Sequence, residues 1–94
     1  MIESFNDEES RKVFNQQRSR KLPADIQTAA LRKLLVLNQA ESLLDLAASP
    51  GNQLEKLSGD RAGQHSIRVN DQWRICFIWT EANNAASVEI ADDH

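Results

Sequence analysis

The chain ends Asp92-Asp93-His94, directly behind a strand-like run closing on Val88-Glu89-Ile90, and three arginines, Arg61, Arg68 and Arg74, lie in the segments before it. Cleaving an RNA phosphodiester without a metal needs a base for the 2′-hydroxyl, cations for the charge that builds on phosphorus, and an acid for the departing 5′-oxygen. Imidazole suits either proton role, because its ordinary pKa is about 6.5, and guanidinium binds phosphate oxygens in a bidentate fork. An acid/imidazole tail beside sheet arginines could therefore bind and cut an anionic backbone.

Other chemistries are less well supplied. Cys76 is the only cysteine and there is no His-x-x-His pair, while Asp92, Asp93 and His94 are too few and too local to call for a metal. Phosphate-cradling glycine loops are absent, so no nucleotide cofactor is expected. Taken singly, each candidate has a plain alternative. A terminal histidine is more often a frayed end, His65 in phase with Ile67 and Val69 is more often a core-edge residue, and Arg61 beside Asp60 is more often turn chemistry. Lys56 between apolar neighbours is more often solvated, and Trp73, Phe77 and Trp79, in phase on one strand face, read as core.

The elements that must position these groups follow from pattern. Ile2 to Phe5 reads as a first strand, and Asn6 with Glu9 has the form of a capping box opening a helix to about Arg18. Pro23 suits the first turn of a second helix reaching about Leu37, in which Ile26, Ala30, Leu34 and Leu37 share one apolar face and Leu31 and Leu35 fall near the other side. Asn38 with Glu41 repeats the capping pattern before a short helix through Leu43, Leu44, Leu46 and Ala47, which Pro50-Gly51-Asn52 stops. Strands are expected at Leu54 to Leu57, Gln64 to Val69, Trp73 to Trp79 and Ala86 to Ala91. The architecture is thus α+β: two main N-terminal helices packed on an antiparallel sheet of four to five strands, in a single domain spanning residues 1–94.

Alternation fixes the central hairpin. His65, Ile67 and Val69 share a face, as do Trp73, Ile75, Phe77 and Trp79, so a three-residue Asn70-Asp71-Gln72 loop pairs Val69 with Trp73 and Ile67 with Ile75. The same register sets Arg68 opposite Arg74, a like-charge pair that is destabilising unless an anion or a carboxylate such as Asp92 meets it, or unless both side chains splay into water. Val88 and Ile90 are in phase with Asp92 and His94, so the chain is expected to leave the strand near Ala91 if the tail is to reach the arginines.

Composition bounds the rest. With 94 residues, 40% hydrophobic and 27% charged, the chain fits one folded domain burying about 60 to 65% of its unfolded surface. The net charge of −3 argues against indiscriminate nucleic-acid binding, yet residues 11–33 carry a local +6. Cys76, inside an apolar run, reads as packing. The acidic N-terminus has no leader-like apolar stretch, and the longest aliphatic run, Leu34 to Leu37, is far short of the roughly 18 residues a membrane span requires. A reducing cytoplasm is the expected setting.

Several stretches carry a resemblance: Pro50-Gly51-Asn52 then Leu54; Leu57 then Gly59-Asp60-Arg61 and Gly63; Ser66-Ile67-Arg68-Val69-Asn70; Trp73-Arg74-Ile75 then Phe77; and the Asp92 to His94 ending. In these the chain resembles the HigB-type toxins of the bacterial RelE/ParE superfamily, also called plasmid maintenance killer proteins. The resemblance implies a toxin that enters the ribosomal A site and cleaves mRNA during translation, held inactive by a helix-turn-helix antitoxin of the HigA type, with DNA met only through that antitoxin. Carried over by position, Arg74 would stabilise the scissile phosphate, Asp92 and His94 would handle protons or orient the 2′-hydroxyl, and Arg61 and Arg68 would support the RNA backbone.

Two departures stand out. Several relatives have a tyrosine between the tail acid and the histidine, where this chain has Asp93; some carry a histidine and a lysine before the Gly-Asp-Arg turn, where it has Glu55 and Ser58 and leaves Lys56 as the nearest cation. The extra carboxylate is expected to weaken activity and to raise the pKa of His94. The rival expectation is a non-catalytic module of the same fold, either a ParE-like gyrase inhibitor or an inactive toxin that partners its antitoxin in repression.

Overall fold

A computed structural model describes residues 1–93. Helix α1 is Glu8–Phe14, α2 is Ala24–Gln39 and α3 is Leu43–Ala47; strands β1 (Glu55–Lys56), β2 (His65–Arg68), β3 (Trp73–Trp79) and β4 (Ala85–Asp92) follow, with single 3-10 turns at Pro50–Asn52 and Gly59–Arg61. The strands form one antiparallel sheet in the order β1-β2-β3-β4. The expected first strand exists as two parallel bridges, Ile2 to Ala85 and Phe5 to Val88, along the outer edge of β4.

The helix ends differ from the sequence expectation for local reasons. Asp7, not Asn6, caps α1, its Oδ1 accepting from the Ser10 amide at 2.8 Å. Asn6 and Glu9 are engaged elsewhere, by Glu89 and Ser19 respectively. Helix α1 also stops at Phe14 rather than near Arg18. Gln16 adopts a left-handed φ of 61°, its amide reaching Val13 O and the Gln17 amide reaching Lys12 O, which is a Schellman closure without the usual glycine. Helix α2 starts just after Pro23 and runs two residues past Leu37. Asn38 therefore lies inside it, and the box that opens α3 sits further on: Ser42 Oγ accepts from the Asp45 amide, and Asp45 Oδ2 accepts from the Glu41 amide.

Packing follows the helical period. Ile26, Ala30, Leu34 and Leu37 are buried against the sheet, where Ile67, Ile75, Phe77, Val88 and Ile90 meet them. Each such aliphatic side chain contributes about 1.5–3 kcal/mol on burial. On the other side of α2, Leu31 is partly covered while Leu35 stays 44% exposed.

The hairpin register is the expected one, with Ile67 opposite Ile75 and Arg68 opposite Arg74. Strand β4 carries an irregularity that alternation alone did not show. Cys76 pairs with Glu89 and Ile78 with Ala86, so Ser87 and Val88 together oppose Phe77, and Ser87 takes a φ of 51°. The bulge shifts the phase by one residue, which lets Ala85, Val88 and Ile90 all point into the core.

Because Leu34 is fully buried and Leu35 is not, Leu34→Ala should lower unfolding free energy by about 2–5 kcal/mol, whereas Leu35→Ala should change it by no more than about 0.5 kcal/mol. Urea denaturation of the two variants checks this, and equal effects would contradict the assignment of the faces.

Candidate active site

On the face of the sheet turned away from the helices, alternation brings up Ser66 and Arg68 from β2, Arg74 and Cys76 from β3, and Glu89 and Ala91 from β4. A cleft of about 200 Å³ opens there, lined by Arg61, Ser66, Arg74, Cys76, Asp92 and Asp93, with Leu57 and Ala91 completing its wall. A larger hollow of about 570 Å³ lies at the α1–α2 connection, but Arg18, Ser19, Arg20, Leu22 and Ala24 line it and offer no carboxylate or imidazole. Groups able to hold an anion and move protons converge only at the sheet cleft among the described residues.

Arg74 is the best-held of these groups. Only 6% exposed, it donates from Nε to Ser66 Oγ at 2.7 Å and from Nη2 to the Gln53 carbonyl at 2.5 Å, with a longer contact to Ser66 O at 3.4 Å. These acceptors are neutral, so the bonds orient the guanidinium without cancelling its charge. Burying a cation is costly unless its donors find acceptors, and the Ser66 hydroxyl and Gln53 carbonyl take those of Nε and Nη2.

Arg61 is held in another way. Its Nη1 donates to Gln64 Oε1 at 3.2 Å and to Glu89 Oε1 at 3.1 Å. The Glu89 bond raises the Arg61 pKa further above its ordinary value, so the guanidinium stays charged. Glu89, which also accepts from Asn6 Nδ2 at 3.1 Å, was missed in the sequence reading, although the pairing of its strand with Arg74 could have revealed its face once the bulge was known.

Arg68 forms an ion pair with Asp71 of the adjoining turn. The opposed arginines thus need no shared anion for stability: Arg68 is relieved by Asp71, Arg74 by neutral oxygens. Lys56 is exposed on β1, and its register partner is His65, which belongs to the core-side phase. The sheet does not bring Lys56 to the cleft beside Arg74.

The tail stays paired for longer than expected. Instead of leaving near Ala91, β4 continues to Asp92 opposite Trp73, Gln72 Nε2 donates to Asp92 Oδ2 at 3.0 Å, and the Asp93 amide donates to Gln72 O at 2.7 Å. Asp92 and Asp93 are among the residues lining the cleft, although Asp92 stands opposite Trp73 of the core-side phase and its carboxylate is engaged by Gln72. The proposed proton-transfer residue His94 lies outside the described residues. Cys76, buried beneath the charged groups, has its thiol pKa pushed up mainly by desolvation, which fits packing rather than reactivity.

With this geometry in view, the similarities of the chain become specific. Residues 3–94 match the model of the RelE-like toxins of the type II toxin-antitoxin system HigB. The chain belongs to this HigB-like toxin family. It is 44% identical over 64 residues to Toxin HigB-1 of Vibrio cholerae serotype O1, covering 68% of this chain and 67% of that one. It is also 34% identical over 74 residues to an uncharacterised protein of Haemophilus influenzae, covering 79% of this chain and 71% of that one. The HigB-like toxin is therefore one half of a type II pair, and an antitoxin is its partner. The α+β architecture, helices on a four-stranded antiparallel sheet, is that of RelE-like toxins. No helix among the described residues is long and apolar enough to cross a membrane.

His65, the one histidine among the described residues, stacks on Phe77 at 6.2 Å between ring centroids, and its buried Nδ1 has no hydrogen-bond partner there. Desolvation, followed by the nearby Lys56 charge, lowers its pKa below 6.5. Above pH 6.5 both folded and unfolded chains carry it neutral. As pH falls below that value the unfolded chain takes up a proton that the folded one resists, so stability should decline down to the folded pKa and then level off. Unfolding midpoints measured either side of pH 6.5 should show this slope in the native chain and lose it in His65→Phe. An NMR midpoint for His65 at or above 6.5 would contradict the assignment.

Proposed function

We propose that this HigB-like toxin is a ribosome-dependent mRNA endoribonuclease that works by 2′-hydroxyl attack without a metal, and that its antitoxin is a helix-turn-helix protein of the HigA type. The observation that carries the reading is the buried Arg74, fixed through neutral acceptors in a cleft that Asp92 and Asp93 help to line. A guanidinium oriented in advance and still carrying its charge is what a developing phosphorane needs, because the reorganisation has been completed before the reaction. Nη1 is not engaged by the Ser66 and Gln53 bonds.

In this reading the scissile phosphate lies against Arg74, while Arg61 and Arg68 steady the flanking phosphates. Asp92 and His94 share the proton work: one accepts the 2′-hydroxyl proton as the 2′-oxygen bonds to phosphorus, and the other protonates the 5′-oxygen as its bond to phosphorus breaks. The products are a 2′,3′-cyclic phosphate and a 5′-hydroxyl. A proton donor is needed because an alkoxide is a poor leaving group near neutral pH. The ribosome would supply the substrate as a single strand held in the A site, in the cytoplasm where translation takes place.

One observation favours the rival, a toxin that binds gyrase or its antitoxin without cutting RNA. Glu89, Asp92 and Asp93 bring carboxylates to or beside the cleft, and Arg61 is already paired to the first of them. That negative charge opposes phosphate entry.

In vitro translation of a defined message, with fragment ends mapped, separates the readings. Cuts should appear only where ribosomes occupy the message, should persist in EDTA-tolerant steps after complex formation, and should end in cyclic phosphate. Arg74→Lys keeps a charge but loses the fork, and should slow single-turnover cleavage by about 100- to 1000-fold while antitoxin binding survives. Growth arrest that outlasts the loss of Arg74 or His94, with no translation-coupled cleavage, would reject the ribonuclease and favour the gyrase reading.

A further inference from the structure

The carbonyl that receives Arg74 Nη2 comes from a backbone conformation that non-glycine residues rarely adopt. Gln53, just after the 3-10 turn Pro50–Asn52, has φ 43° and ψ 55°. A left-handed residue with a side chain persists only where its surroundings dictate it, and such positions cluster where a precise geometry is used. Two sets of bonds dictate this one. The Gln53 amide donates to Pro50 O at 3.1 Å, closing the turn. The preceding residue, Asn52, is 2% exposed and uses both ends of its amide: Nδ2 donates to Leu46 O at 3.0 Å, and Oδ1 accepts from Lys33 Nζ at 2.7 Å. The Gln53 carbonyl is thereby turned to accept from Arg74 Nη2 at 2.5 Å.

From this we infer that Asn52, backed by Lys33, is a positioning residue that holds the Arg74 guanidinium through the left-handed carbonyl of Gln53. The side-chain chemistry is specific. A carboxylate at position 52 would lose the donor to Leu46 O, and an aliphatic side chain of similar size would lose both bonds and leave a buried carbonyl and an ammonium without partners. Helices α2 and α3 thus reach the cleft through one amide plane, although neither contributes a side chain to it. Ser66 supplies the second support, at Nε, so Arg74 is fixed from both ends of its planar group.

The effect on cleavage rests on the ribonuclease reading; the effect on Arg74 itself does not. The test follows the Arg74 Nη2–H signal, the donor that meets the Gln53 carbonyl, by low-temperature ¹⁵N NMR in the full-length protein, alongside single-turnover cleavage on ribosomes. In Asn52→Ala, hydrogen exchange at Arg74 Nη2 should quicken by about tenfold or more, the factor carried by one hydrogen bond to a charged group. Lys33→Met, which leaves Asn52 in place, should move it in the same direction by less. Cleavage should slow by up to about 100-fold, as expected when a catalytic group is displaced by about an ångström, with ribosome affinity retained. A folded Asn52→Ala protein with unchanged Arg74 exchange would overturn the inference. Should that variant fail to fold, unchanged exchange in Lys33→Met would overturn it equally. If the Arg74 signal responds as expected but the native chain never cuts RNA, the positioning role stands and the ribonuclease reading falls.

Discussion

One extra residue in β4 determines which side chains meet the helices and which meet the cleft. Without the bulge at Ser87, Ala85 and Val88 could not both face the core, because strict alternation sends positions an odd number apart to opposite sides. With it, the strand buries Ala85, Val88 and Ile90 and turns Glu89 to the side of Arg74. The positive φ of Ser87 is the local strain that accompanies this arrangement. The hydrophobic packing of α2 on the sheet and the polar cleft behind it are therefore two outcomes of the same register.

The two cleft arginines are held by different physics. Arg61 is paired to a carboxylate, which fixes it and offsets its charge; Arg74 is held by a hydroxyl and a carbonyl, which fix it and leave its charge available. A buried cation stripped of its acceptors would be expensive to keep, so the supports of Arg74 contribute to stability as well as to orientation. The tail obeys a similar logic. Gln72 binds both the Asp92 carboxylate and the Asp93 amide, so the β2–β3 turn ties these two residues beside the cleft they help to line.

Elsewhere, side chains that look like helix caps serve longer-range contacts. Asn6 reaches Glu89, Glu9 accepts from Ser19 Oγ at 2.6 Å, and Asn38 accepts from the Ile2 amide at 2.9 Å. These bonds tie α1, α2 and the segment before α1 to β4, to the N-terminal edge or to a loop, and the capping is passed to Asp7 and Ser42. Short polar side chains can serve either purpose, and tertiary proximity selects between them.

The sequence by itself determined the α+β class, the buried face of α2, the three-residue hairpin loop and the Arg68–Arg74 register, because each depends on a period or a loop length that neighbouring residues alone specify. The resemblance in the Gly-Asp-Arg and Trp-Arg segments pointed to the toxin family that the whole-chain match then supported. Tertiary structure alone decided the rest. It separated Lys56 from the cleft through the β1–β2 pairing, brought Glu89 to Arg61, kept β4 paired to Asp92, and set the Gln53 carbonyl against Arg74. Those features depend on contacts between residues distant in sequence and on two left-handed backbone positions, neither of which leaves a periodic trace in the order of residues.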